Sequence, residues 1–381
     1  MKQFFVLGRN PVLSKAEILS YLEARGIKSR ELIFEDNYLV LEYEDKDYIL
    51  SIQELGGAIK AGKILFEAKN HRDLLRLLDE HENDVAPSEK FSYGLYGQNH
   101  DEEDVIKKSF KTQGKLAMLR HGRTSIKFEN MEVASLPNAE FSFFMHRDTK
   151  IQDGIIHFGV VDQDYDYSEI KKRDMKKPER RESLAISPRL AKILINLSQA
   201  QPGQLLLDPF CGVGSILIEG IMKGINVYGI DKDKKAIESA KRNLKWIESE
   251  YDVDGTYKLF NEDSRNMPNL RIDAVATETP LTPSGDALRK KPSDKEAVQM
   301  MKGFESIIVP ILKRISQIKK PGARIAITFP RVREHVPDIF SIKKQTGLKL
   351  YEPKNVNTYI HFPIKESRPD QYISRDIMVF V

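Results

Sequence analysis

Residues 205–219, LLLDPFCGVGSILIE, decide how this chain is read. Three leucines end in an acid, Asp208, a turn carries Gly212 and Gly214, and Ser215 opens a second apolar run. An apolar run that closes on a charge and passes through glycines into another apolar run has the form of a buried strand feeding a helix. In a doubly wound sheet, ligands bind in the crevice at the carboxyl ends of such strands. Glycine at 212 and 214 lets the backbone approach a ligand with no Cβ in the way. A phosphate site would offer backbone N–H groups there; the carboxylate of Asp208 suits a positively charged amine or sulfonium instead. Gly229-Ile230-Asp231, at the end of the next expected strand, places a second carboxylate where it can accept both hydroxyls of a ribose.

Around this segment the pattern is regular. Helices are expected over 189–197, 215–222, 234–246 and about 304–315. Strands are expected over 205–207, 226–230, 257–260, 274–276 and 323–329, with two terminal strands near 348–351 and 377–380. Strands alternating with helices predict an α/β domain, a parallel sheet wrapped on both faces. Upstream the pattern is α+β. Strands fit 4–7, 38–43, 91–97, 125–128, 140–144 and 154–161. Ser14 and Glu17 have capping-box spacing ahead of a helix over 18–22. Further helices fit 74–78 and the segment with Val105, Ile106 and Phe110 on one face. Within 171–181 stand seven basic residues against Asp174 and Glu179, a charge run that reads as a connection, either simply solvated or in contact with phosphates. The expected division is an α+β domain over 1–88, a second module over 89–162, a basic linker over 163–188 and the α/β domain over 189–381.

Bulk composition narrows the function classes. A chain of 381 residues has room for more than one domain, and 40% hydrophobic with 30% charged residues suits a globular protein. No apolar run approaches the roughly 20 residues that span a bilayer, and the first apolar stretch is too short for a secretion signal. A cytoplasmic protein without a membrane partner is therefore expected. One cysteine, Cys211, excludes an intrachain disulfide, and eight scattered histidines predict no metal site. A net charge of +4 permits a nucleic-acid partner without requiring one.

Asp208-Pro209-Phe210-Cys211-Gly212-x-Gly214-Ser215, with Glu219 four residues on, resembles the cofactor motif of THUMP-domain RNA methyltransferases. The likeness is nearest to the archaeal and eukaryotic tRNA guanosine N2-methyltransferases that modify position 10. Tyr167-Ser168, Arg173-Asp174, Pro178, Arg180, Pro188-Arg189-Leu190-Ala191 and Asn243-Leu244 resemble the same family, as does the opening Asn10-Pro11-x-Leu13-Ser14-x-Ala16-Glu17. The resemblance implies a Rossmann-like domain that binds S-adenosyl-L-methionine, preceded by a THUMP-like module that grips tRNA or another structured RNA. It implies a cofactor set of Asp208, Phe210, Cys211, Gly212, Gly214, Ser215, Asp231 and Lys232, with Asp263 and Ser264 bracketing the adenine. It also implies a catalytic segment after the fourth strand, occupied here by Glu278, Thr279, Pro280 and Leu281. The family pattern at that place is Asp or Asn, then Pro-Pro and an aromatic residue. Side-chain and carbonyl oxygens there hold the protons of an exocyclic amine while the ring stacks on the flipped base. Glu278 keeps an acceptor with one more methylene, Thr279 stands for a proline, and Leu281 replaces the ring. Three functions follow as expectations: methyl transfer to a guanine N2 in tRNA, amine methylation of DNA, or a silent RNA-binding protein that keeps the pocket.

Overall fold

Short apolar runs become strands wherever they can pair, and most of them do. In a computed structural model that describes residues 1–86, 88–97, 100–120, 125–128, 131–134, 139–148, 154–180, 186–280, 291–353, 360–367 and 372–381, the chain divides into two compact units. Met1–Pro11, Ile27–Gln53 and Ala58–Tyr165 form the first; Val12–Gly26, Glu54–Gly57 and Asp166–Val381 form the second.

The first unit is built on one sheet. Its strands are β1 (Lys2–Leu7), β2 (Ser29–Glu35), β3 (Tyr38–Tyr43), β4 (Ala58–Ala68), β5 (Lys90–Tyr96), β6 (Leu116–Leu119), β9 (Phe141–Arg147) and β10 (Ile156–Asp164), in the order β2-β3-β1-β4-β10-β9-β5-β6. Strands β7 (Ser125–Phe128) and β8 (Met131–Ala134) pair with each other. Strands from both sides of position 88 lie in the one sheet, so the division expected at 88/89 does not separate two bodies. Side chains alternate across this sheet. Phe143 packs with Leu74, Leu78 and Phe110 from helices α2 (His71–Glu80) and α4 (His100–Thr112), and Phe144 with Phe4 and Val40. A single turn, α3 (Glu82–Val85), follows α2.

Helix α1 (Pro11–Ala24) corrects the reading of the N-terminal helix. Ser14 and Glu17 lie inside it, at its fourth and seventh positions, rather than at its N-terminus. Proline at the first helical position costs no hydrogen bond, so the helix starts there. The buried Glu17 carboxylate accepts hydrogen bonds from Gly56 N, Gly57 N and Asn196 Nδ2, each at 2.7 Å. From Val12 onward α1 is part of the second unit.

That unit holds the sheet on which the site is built. Its strands are β11 (Leu205–Asp208), β12 (Asn226–Asp231), β13 (Tyr257–Asn261), β14 (Ala274–Glu278), β15 (Ile325–Val332), β16 (Ile364–Glu366) and β17 (Ile373–Phe380). Their order is β13-β12-β11-β14-β15-β17-β16, with β17 antiparallel to both neighbours. Numbered within the unit this is 3-2-1-4-5-7-6 with a reversed seventh strand, a Rossmann-like α/β sheet. Leu206, Val227 and Ala276 pack towards α6 (Pro188–Leu197), α7 (Ser215–Ile221) and α8 (Lys234–Glu250). Leu207, Val275 and Ile327 pack towards α9 (Asp294–Ile318) and α10 (Ile339–Thr346). Adjacent leucines on opposite faces give the three layers. Among the described residues no helix is long and apolar enough to cross a membrane.

The basic segment is more than a connection. Helix α5 (Tyr167–Met175) occupies its front, capped by the Asp166 carboxylate. Three of its cations face inward or pair locally: Arg173 with Glu219, Lys172 with Glu250 at 3.1 Å, and Lys177 with the Ser215 hydroxyl at 3.1 Å. Arg181 lies outside the described residues.

Candidate active site

The parallel strands bring their carboxyl ends to one edge, so Asp208, Asp231 and Glu278, the last residues of β11, β12 and β14, stand together there. The order reverses at β11, which is where a doubly wound sheet opens a crevice. Between β11 and α7 the turn is made by Gly212 (φ 52°) and Gly214 (φ 88°), both in the left-handed region. At Gly212 an added Cβ would meet open space, apart from the Phe210 carbonyl at 4.0 Å, whereas at Gly214 it would press on Ala240 of α8 at 3.3 Å. One glycine leaves room above the turn; the other lets a helix close in beneath it.

The turn is tied to the end of β12. Asp231 Oδ2 accepts from Gly212 N at 3.0 Å and Oδ1 from Asp233 N at 2.9 Å. A carboxylate can accept at about four positions, so these bonds orient Asp231 and leave it able to accept more. Asp208 lies lower, 2% exposed, and its Oδ1 accepts from the Thr277 hydroxyl at 2.5 Å and from Phe210 N at 3.1 Å. Burial pushes its carboxyl up to about 7; the two hydrogen bonds work against this, and the charges of Asp231 and Glu278 add to the rise. Three carboxylates crowded at one edge favour a cationic ligand.

The remaining expected cofactor residues divide. Phe210 packs at the margin of the core towards α9, and Cys211 is buried on the opposite side, its N–H donating to Ile230 O at 3.0 Å. Burial raises the Cys211 thiol well above its ordinary range. Ser215 is buried against Lys177, and Lys232 is exposed. Ser264 donates its hydroxyl to Pro209 O, which joins the end of β13 to the turn. Asp263 bonds instead to its neighbour: its oxygens take Arg265 Nε at 2.9 Å and Nη2 at 2.6 Å, and these bonds hold its carboxyl at about 2. Asn243 of α8 locks the approach to the turn by donating to Val213 O at 2.8 Å and Glu179 O at 3.0 Å while accepting from Glu179 N at 2.9 Å.

Of the expected catalytic segment, Leu281 lies outside the described residues. Thr279 is buried and turned into the sheet: its N–H donates to Thr328 Oγ1 at 3.2 Å and its hydroxyl to Thr328 O at 2.6 Å. Pro280 is exposed. Glu278 accepts a hydrogen bond on Oε1 from Arg375 Nε of β17. Sequence reasoning missed Thr277, Thr328 and Arg375. Thr277 left a faint signal, a hydroxyl inside the apolar strand Ala-Val-Ala-Thr; Arg375 left none.

Residues 178–305 match the family described as UPF0020, RMKL-like, methyltransferase domain. A tRNA (guanine(10)-N2)-dimethyltransferase of Methanothermobacter thermautotrophicus is 33% identical over 108 residues, 28% of this chain and 31% of that protein. One from Methanocaldococcus jannaschii is 33% identical over 182 residues, 46% of this chain and 44% of its own. This chain thus spans less than half the length of these curated relatives. Among solved structures, TrmN from Thermus thermophilus is similar in fold, with a TM-score of 0.51 at 14% identity over 100% of this chain and 99% of that one. The stretch 178–305, which carries Asp208, Asp231 and Glu278, is thus similar to the RMKL-like methyltransferase domain.

Proposed function

We propose that this protein is an S-adenosylmethionine-dependent N-methyltransferase acting on tRNA, with the exocyclic N2 of a guanine as its target. The observation that carries the reading is the convergence of Asp208, Asp231 and Glu278 around the Gly212–Gly214 turn. The names of the two archaeal relatives supply the substrate class. The residues fit the cofactor: a turn open at Gly212, a carboxylate for ribose hydroxyls in Asp231, and negative charge for a sulfonium. When bound, S-adenosylmethionine supplies a methyl group made electrophilic by that sulfonium. In this reading Asp231 accepts the ribose hydroxyls, Asp208 balances the positive charge from below, and Asp263 and Ser264 flank the adenine. A guanine amine is a poor nucleophile because its lone pair is delocalised into the ring. Glu278 at the end of β14 accepts a hydrogen bond from one of its N–H groups, which turns the lone pair outward, and takes up the proton that N-methylation releases. The first unit contacts the RNA, so binding weakens as salt rises, and the protein acts in the cytoplasm.

A second reading has one observation in its favour. One oxygen of Glu278, Oε1, already accepts a hydrogen bond from an arginine, as suits an RNA-binding protein that no longer transfers methyl groups. Full-length protein incubated with labelled S-adenosylmethionine and bulk tRNA or duplex DNA, followed by mass spectrometry of the nucleosides, separates these outcomes. N2-methylguanosine in tRNA supports the proposal. Label in DNA alone replaces the substrate, and no label in either replaces the enzyme with a binding protein.

A further inference from the structure

We propose that Arg375 is the positioning residue of the transfer site, reaching across the sheet to hold Glu278 in the orientation that methyl transfer requires. The inference rests on the methyltransferase reading above. Glu278 on β14 stands opposite Thr328 on β15, and Thr328 stands opposite Ile377 on β17. Arg375 is two residues from Ile377 along β17 and therefore on the same face. Two strand spacings, about 9–10 Å, separate β14 from β17. The pair bridges them over a strand whose residue at that level is a threonine. Neither side chain is free to drift, since Arg375 is 4% exposed and Glu278 11%. The end of β14 is further pinned by the two bonds between Thr279 and Thr328.

A glutamate has one more rotatable bond than the aspartate or asparagine of the family pattern, so its carboxylate sweeps a larger volume when nothing holds it. A guanidinium donating to one oxygen in fixed, planar geometry removes that freedom. It also places a permanent positive charge beside Glu278, at the edge where Asp208 and Asp231 stand. The arginine touches neither cofactor nor base. Its effect passes through the direction in which Glu278 points.

The test uses the full chain, labelled S-adenosylmethionine and bulk tRNA, with Arg375→Met, Arg375→Lys, Glu278→Gln and the double variant Arg375→Met/Glu278→Gln. Arg375→Met is expected to lower kcat about 100-fold, the cost of roughly 1 Å of misplacement, while calorimetry shows S-adenosylmethionine affinity unchanged. Arg375→Lys, which keeps the charge and loses the planar fork, recovers part of the rate. The double variant is no slower than the slower single one, because both changes act through one group. Should Arg375→Met fail to fold, Arg375→Lys and Glu278→Gln carry the same comparison. Wild-type kcat in a folded Arg375→Met protein, losses that multiply in the double variant, or cofactor affinity falling in step with kcat would each overturn the inference while leaving the methyltransferase standing. A wild type that binds S-adenosylmethionine and labels no nucleic acid overturns both.

Discussion

The two halves of the proposed site, one for the cofactor and one for methyl transfer, are held in different ways. On the cofactor side the partners are close in the chain: Asp208 with Phe210, Asp231 with Asp233, and Asp231 with Gly212 across 19 positions. On the transfer side, Thr279 finds Thr328 across 49 positions and Glu278 finds Arg375 across 97. One half is a local turn whose geometry is set by glycines and backbone N–H groups. The other exists only once β17 has entered the sheet between β15 and β16. A short-range site can be carried by a motif, whereas a long-range one can change its chemistry through a residue that no motif contains.

The largest expected effect tests whether the cofactor side is as self-sufficient as its sequence separations suggest. Arg173 and Glu219, 6% and 1% exposed, pair at 2.8 Å and tie α5 to α7 directly behind the turn. Arg173→Met takes the hydrogen-bonded partner from a buried carboxylate, leaving it only the nearby charges of Lys177 and Lys192, and should lower stability by up to about 3–5 kcal/mol in urea unfolding. A loss well under about 1 kcal/mol would mean that the turn stands without its prop. Next in size is Asp231→Ala, which removes charge-assisted bonds worth about 1.5–3 kcal/mol and should weaken S-adenosylmethionine binding by one to two decades in calorimetry. Binding that survives Asp231→Ala intact would remove the ribose role.

A smaller effect probes a residue whose side chain joins the two halves. Thr277 sits on the transfer strand and donates to Asp208 on the cofactor strand. Thr277→Val keeps the shape and should cost about 1 kcal/mol of stability, with a further rise in the titration midpoint of Asp208. The last test lies in the pH response. A carboxyl raised to about 7 by burial contributes stability fully below the ordinary carboxylate range near 4, and loses it as pH rises towards 7. A cationic ligand favours the ionised form, so S-adenosylmethionine should bind more tightly as pH rises through 7, releasing a proton. Asp208→Asn keeps an acceptor for Thr277 and should flatten both dependences in thermal melts and in calorimetry across pH 5 to 8.

Legibility followed the same divide. β11, β12 and the turn between them were readable because a charge, two glycines and a second charge fall within 24 residues of sequence, at strand ends that hydrophobic runs mark clearly. The transfer side was readable only to Glu278. β16 is three residues long, too short to show a period, and α10 is short and follows no strong apolar stripe. Residues 348–351 were expected as a strand, but Leu350 makes only an isolated bridge to Phe380. The helix expected over 304–315 begins ten residues earlier, at a capping box of Ser293 and Glu296 that the apolar pattern does not reach. In the first unit the eleven-residue β4 went unread because Lys60, Lys63 and Glu67 interrupt its apolar run. Lys60 is accommodated by pairing with Asp164 of β10.

Helix α1 has a consequence for how the protein is made. Its residues 13–18 are all buried, and its partners lie far ahead in the chain: Ser20 donates to Asn196 O across 176 positions, and Glu17 accepts from Asn196 across 179. At about 5–20 residues per second of synthesis, this helix leaves the ribosome on the order of ten to thirty seconds before the segment that covers it. During that interval Leu13 and Ala16 lack the core they pack into and Glu17 has only Gly56 and Gly57 of its partners, while much of the chain emerging behind them belongs to the other unit. The newborn chain therefore carries an exposed apolar helix near its front, a handle for a chaperone and a weak point for aggregation. For the same reason a clean cut after Tyr165 does not release the second unit intact.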